Sequence, residues 1–167
     1  MIITRSWAMP NHKTFDIKPI RALIDKYLTE VSIDPFANQS RLARFNNDID
    51  PQYGCEFNLD ALDFLKSFQD ESVDTILFDP PYSPRQISEC YKSLGLSVNM
   101  QTTQSSFWSN MKKEISRIVK PGGVVMTFGW NSGGIGKNNG FDIEEILMVA
   151  HGGWHNDTIV TVDRKNG

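Results

Sequence analysis

The run Thr75-Ile-Leu-Phe78 ends in Asp79-Pro80-Pro81-Tyr82, and this junction constrains the fold more than any other stretch of the chain. Four residues that are apolar or β-branched read as a buried strand. Pro80 and Pro81 have no N–H and a fixed φ, so the strand must stop there and the turn must leave its carbonyls outside the sheet ladder. Asp79 adds a carboxylate acceptor. Tyr82 adds a ring able to stack on a planar base, with a hydroxyl at its tip. An exocyclic amine donating to Asp79 and to the Pro80 carbonyl would have its lone pair turned out of the ring plane, ready for an electrophile. An ordinary strand-ending turn uses the same residue types, so the surroundings decide between the two readings.

Those surroundings alternate strand-like and helix-like runs in the manner of an α/β sheet. The pattern predicts helices over 17–29, 60–67 and 105–119. It predicts strands over 31–34, 44–49, 74–79, 123–128, 142–150 and 157–164, with a short one at 55–57. The last two, joined by His151–Asn156, read as an antiparallel hairpin closing one edge of an otherwise parallel, doubly wound sheet. Ligands in such sheets lie beyond the carboxyl ends of the strands, where Asp34, Asp48, Asp60 and Asp79 all fall. The 167 residues amount to a single domain spanning 1–167. A net charge of −3 gives no general basic signature, so any nucleic-acid contact must come from local patches. Two isolated cysteines, Cys55 and Cys90, suit a reducing compartment. No leader and no apolar run of membrane-spanning length is visible, so a soluble, cytoplasmic protein with no membrane partner is expected.

Further stretches stand in a telling order around the turn. They are Thr14-Phe15-Asp-Ile-Lys18-Pro19, then Val31-Ser-Ile-Asp34-Pro35-Phe36-Ala37, then Asn47-Asp48-Ile49-Asp50-Pro51. Leu59-Asp60-Ala61 follows, and Lys120-Pro121-Gly122-Gly123 precedes Val124–Phe128. Together with Asp-Pro-Pro-Tyr this set resembles the DNA amino-methyltransferases of the N6-adenine type, in the motif order called gamma, over about residues 14–164. Those enzymes move a methyl group from S-adenosylmethionine to N6 of adenine or N4 of cytosine.

The resemblance implies a Rossmann-like S-adenosylmethionine-dependent methyltransferase fold, mostly parallel with a C-terminal antiparallel hairpin. It implies S-adenosylmethionine as cofactor and double- or single-stranded DNA as partner. Asp79, Pro80, Pro81 and Tyr82 take the catalytic positions. Adenine is favoured because the family's cytosine enzymes more often carry Ser in the place of Asp79. The cofactor-binding set is Phe15, Lys18, Asp34, Phe36, Ala37, Asn38, Asp48, Asp60, Ala61 and Asp79. Asp48, with Asp50 as its rival in the same turn, would accept ribose hydroxyls. Asp60 would accept the adenine amine with the Ala61 amide nearby, or cap the helix from Ala61, or do both. Asp34 would lie near the methionyl ammonium, and Lys18 near its carboxylate. Two alternatives stay open: transfer to another amine, such as cytosine N4, an RNA base or a protein glutamine, and cofactor binding without catalysis.

Departures from the family pattern carry their own expectations. Asn38-Gln39-Ser40 replaces the usual glycines of the cofactor loop; asparagine tolerates a left-handed backbone, whereas Ser40 fits such a loop less well. Only nine residues, Pro35 to Ala43, separate the first two strands of the parallel core, fewer than a parallel crossover normally needs. The first crossover helix should therefore be shortened to a turn or two, or be absent. A second copy of the chain is expected on the uncovered face, giving a homo-oligomer, with a dimer favoured. Substrate recognition falls to the polar stretch 83–106, where Arg85 and Gln86 suit base edges or phosphates. Trp130, after the fifth strand, is either a base-stacking residue or core. Lys112, Lys113, Arg117 and Lys120 read as a solvated helix face rather than a phosphate track. Gly129–Lys137 lacks the spacing of a phosphate loop. His151 and His155 have metal-ligand spacing only on a helix, which Gly152-Gly153 would break, so no metal is expected.

Overall fold

The computed structural model describes residues 1–81, 89, 91–95 and 105–167. Its strands are β1 (Ile2–Trp7), β2 (Ser32–Asp34), β3 (Phe45–Asn46), β4 (Val73–Phe78), β5 (Val119–Gly129), β6 (Phe141–Ala150) and β7 (Thr158–Lys165). Helices α1 (Lys18–Tyr27), α2 (Ala61–Lys66) and α3 (Ser105–Ile118) accompany them. The strands form one sheet in the order β1-β6-β7-β5-β4-β2-β3. β3, β2, β4 and β5 run parallel, and β7 lies antiparallel to both β5 and β6. This is the Rossmann-like α/β arrangement expected.

Each face of the sheet has its own core. Ile20, Leu23 and Ile24, spaced to share one side of α1, bury against Leu77, Met126, Phe128, Val160 and Val162. Met111, Ile115 and Ile118 of α3 cover Val73, Ile76 and Val125 on the other face. Glu145 of β6 ties α1 down, accepting from Lys26 Nζ at 2.9 Å and Tyr27 Oη at 2.6 Å. Burial alone would raise this carboxyl, but those two hydrogen bonds outweigh it and hold it below its usual range, while burial and Glu145 push the Tyr27 phenol up.

Two expectations are corrected. The hairpin does not close the edge, because β1 pairs in parallel outside β6, from Ile2 beside Glu145 to Trp7 beside Ala150. Nearly every β1 side chain is exposed, so the strand is held by its backbone ladder and leaves no burial pattern in the sequence. The short strand at 55–57 is reduced to a single bridge between Asn47 and Phe57. The first crossover has no helix, one of the outcomes its length implied: residues 35–44 are turns, bends and irregular backbone. Leu42 and Ala43 pack with α1 on the sheet face.

Two glycines mark close approaches. A Cβ at Gly123 would stand 2.6 Å from Val119 Cγ1 and 3.0 Å from the Asp74 carbonyl, where the β4–β5 register shifts. At Gly134, with φ +58°, it would stand 2.2 Å from Oδ2 of Asp163, a fully buried carboxylate on β7 that accepts the Ile135 amide at 3.1 Å. Arg117 is a clasp rather than a phosphate contact, bonding Asp70, Glu114 and the Phe68 carbonyl, each at 2.8 Å. His151 is a clip, with one ring nitrogen 2.9 Å from the Ala8 carbonyl and the other 2.8 Å from Thr158 Oγ1.

Candidate active site

A cavity of about 800 Å³ opens at the carboxyl ends of β2 and β4, bordered by Phe36, Asn38, Asp48, Ala61, Asp79 and Pro80, and roofed by the segment around Phe15. Asp34, the last residue of β2, is 1% exposed. Its Oδ1 accepts the Phe36 amide at 3.1 Å, and its Oδ2 has no partner. Burial, then the nearby charge of Asp79, pushes this carboxyl well above its usual range. Two acids at neighbouring strand ends, one with an orphaned oxygen, make a site that demands a donor or a cation.

The crossover loop keeps its shape without a helix because side chains satisfy its backbone. Asn38 has φ +53°, the left-handed conformation its residue type was expected to tolerate. Its amide donates to Asp48 Oδ2 at 2.9 Å, and Asp48 Oδ1 accepts the Asp50 amide at 3.0 Å. Burial raises Asp48 above the ordinary range. Asp50 caps the next turn, accepting from the Gln52 amide at 2.9 Å. The Arg41 guanidinium donates to the carbonyls of Asn38 and Ser40, each at 2.8 Å, and to that of Tyr53. Such carbonyls, left without helical partners, would otherwise face solvent or strain the loop.

Other predicted residues divide clearly. Phe15 is buried, its ring 4.8 Å from that of Phe128, and it borders the cavity. Phe36 and Ala37 form the loop wall, Phe36 tilted against Phe78 at 6.1 Å. Pro81 lines the cavity beside Pro80. Lys18 is exposed at the start of α1 and does not line the cavity; Lys13 and Arg21 do. Asp60 caps α2, its Oδ1 accepting the Leu62 amide at 3.0 Å, while Ala61 borders the cavity. Trp130 is 43% exposed and is not part of the cavity wall. Tyr82, Arg85, Gln86 and Cys90 lie outside the described residues. Among the described residues, no cluster of His, Cys, Asp and Glu is arranged to hold a metal ion, and no helix is long and apolar enough to cross a membrane.

Two residues escaped the sequence reading. Asn47, fully buried, donates through Nδ2 to the carbonyls of Pro35 at 3.1 Å and Leu59 at 3.0 Å, and its Oδ1 accepts the Leu59 amide at 2.9 Å. Tyr91 borders the cavity and donates its hydroxyl to Asp60 Oδ2 at 2.6 Å. A polar residue placed directly after a strand was the only signal for Asn47; Tyr91 had none.

No family model and no curated protein matches the sequence. Solved structures do match in fold. TrmN from Thermus thermophilus superposes with a TM-score of 0.57 at 17% identity over 89% of this chain, and the chain spans about half of that structure, 47% of its length. A SAM-dependent methyltransferase from Methanosarcina mazei gives a TM-score of 0.57 at 13% identity, covering 86% of this chain and 97% of the other. The 1,6-didemethyltoxoflavin-N1-methyltransferase from Burkholderia thailandensis, with 1,6-didemethyltoxoflavin and S-adenosylhomocysteine bound, gives 0.53 at 10% identity, covering 81% and 71%. At these identities the likeness is one of fold: the chain has the fold of the S-adenosylmethionine-dependent methyltransferases.

Proposed function

We propose that the protein transfers a methyl group from S-adenosylmethionine to the N6 amine of adenine in DNA. The orphaned Oδ2 of buried Asp34, set beside Asp79 at the end of the parallel strands, carries this reading. When bound, S-adenosylmethionine supplies a sulfonium-activated methyl group together with an ammonium, a donor that the orphaned oxygen of Asp34 could accept from. Asp34 accepts from the ammonium. Asp48 accepts from the ribose hydroxyls, and Asp60 with the Ala61 amide meets the adenine. The loop of Phe36, Ala37 and Asn38 closes one wall, and Phe15 another.

The chain's own contribution is to position and polarise. Asp79 and the Pro80 carbonyl accept the two N–H bonds of the target amine and turn its lone pair away from the ring. Asp79 is then the neighbouring carboxylate to which the displaced proton can pass. Tyr82 follows directly in the sequence as the stacking surface for a base taken out of its helix.

The test is methyl transfer from labelled S-adenosylmethionine to mixed-sequence DNA, single- and double-stranded, read by nucleoside mass spectrometry. N6-methyladenine is the expected product. Methylation of cytosine N4, of RNA or of a protein glutamine would replace adenine by another amine. Cofactor binding with no transfer to any of these would leave a binding protein without catalysis.

A further inference from the structure

We infer that Tyr91 belongs to the subsite for the cofactor's adenine, where its hydroxyl occupies the oxygen of Asp60 that the adenine amine would use. The inference rests on the cofactor reading above and adds to it a residue outside the family's motifs.

Asp60 has two oxygens and two tasks. Oδ1 accepts the Leu62 amide at 3.0 Å and caps α2, so it cannot turn to a ligand without uncapping the helix. Oδ2 remains, and the Tyr91 hydroxyl donates to it at 2.6 Å. Tyr91 and Ala61, the residue after Asp60, both border the large cavity, and the hydrogen bond between Tyr91 and Asp60 is only part-buried. A hydroxyl bound to a carboxylate at that length is a charge-assisted bond. An adenine amine reaching Asp60 must share or displace it, and the hydroxyl thereby holds cofactor affinity down. The ring works in the opposite sense, because an aromatic side chain at the cavity border can stack against the adenine. Hydroxyl and ring of one side chain therefore act with opposite signs, and two substitutions separate them.

The experiment is calorimetric titration of the full chain, as wild type, Tyr91→Phe and Tyr91→Ala, with two probes. One is S-adenosylhomocysteine; the other is its inosine counterpart, which carries a carbonyl in place of the amine. Tyr91→Phe is expected to bind S-adenosylhomocysteine about 3- to 10-fold more tightly, the worth of one competing hydrogen bond to a charged group. The inosine probe should gain nothing, since its carbonyl cannot donate to Asp60. Tyr91→Ala should lose the gain along with the ring. Unchanged or weaker binding of S-adenosylhomocysteine by Tyr91→Phe, or an equal gain on both probes, overturns the role of Tyr91 while leaving the cofactor reading intact. Failure of wild type and variants alike to bind S-adenosylhomocysteine sinks the cofactor reading and the tyrosine's role together. Tyr91→Phe removes one hydroxyl and keeps the ring, and a thermal melt of each variant separates a binding change from a folding change.

Discussion

Asp34 and Asp163 are the same local device in two settings. Each is a buried strand carboxylate that accepts an amide from the loop it organises, Phe36 for Asp34 and Ile135 for Asp163, and each keeps one oxygen without a partner. Burial raises the carboxyl in both cases. What differs is the neighbourhood. Gly134 seals Asp163 so closely that a methyl group could not be added, and the positive charge of Lys112 relieves it. Asp34 has Asp79 beside it, a second negative charge that outweighs the relief from Arg41, and the loop that follows it borders the cavity. A buried acid at a loop is therefore not evidence of a site; a buried acid made worse by its neighbour, at the root of a cavity-lining loop, is.

The comparison can be broken in several ways. The largest effect should come from Asp79→Ala, with methyl transfer falling by about a thousandfold or more, some 4 kcal/mol of transition-state stabilisation, while S-adenosylhomocysteine affinity stays within a few-fold. Turnover assays and calorimetry check the two halves. Next, Gly134→Ala should cost about 3 kcal/mol of stability in a denaturant melt, from the clash with Asp163 and the strained φ, yet leave cofactor affinity of the folded protein unchanged.

Asp34→Asn and Asp163→Asn sharpen the contrast through pH. In the unfolded chain each acid loses its proton near pH ~4. The folded state holds that proton to distinctly higher pH. Between those limits the native state binds more protons than the unfolded state, so stability falls as pH rises. Both asparagine variants should therefore gain melting temperature over wild type as pH climbs from about 4 through neutrality. Only Asp34→Asn should weaken S-adenosylhomocysteine, by about tenfold or more, because it removes a charged partner of the ammonium. The smallest effect is expected at Asn38: Ala there should cost about 1 kcal/mol and Gly almost nothing, as the left-handed backbone is the strained element.

The parts of this fold that were legible were those whose physics is local. β4 announced itself by an apolar run and two prolines, α1 by Ile20, Leu23 and Ile24 on one side, and the left-handed turn by an asparagine where glycine is usual. β1 was illegible because it is held by backbone pairing with β6 and buries almost nothing. The role of Arg41 depends on the carbonyl of Tyr53, and that of Tyr91 on Asp60, partners separated by 12 and 31 positions. Lys18 was carried over from a motif, yet the helix start leaves it exposed while Lys13 and Arg21 take the cavity wall. Contacts made by a loop that has lost its helix follow no periodicity, so no pattern in the sequence could reveal them.

Asn47 has a consequence for how the site fluctuates. The amides of Ala37, in one cavity wall, and Leu59, two residues before Ala61 of another, both end on this one residue, the first on its backbone carbonyl and the second on its side chain. Walls that share a post open together. In hydrogen exchange the two amides should therefore report one common opening free energy and slow in concert when either end of the pocket is filled, whereas Asn47→Ala should let them exchange independently. A ligand held only by the ribose turn would then already have quietened the region that must receive its base.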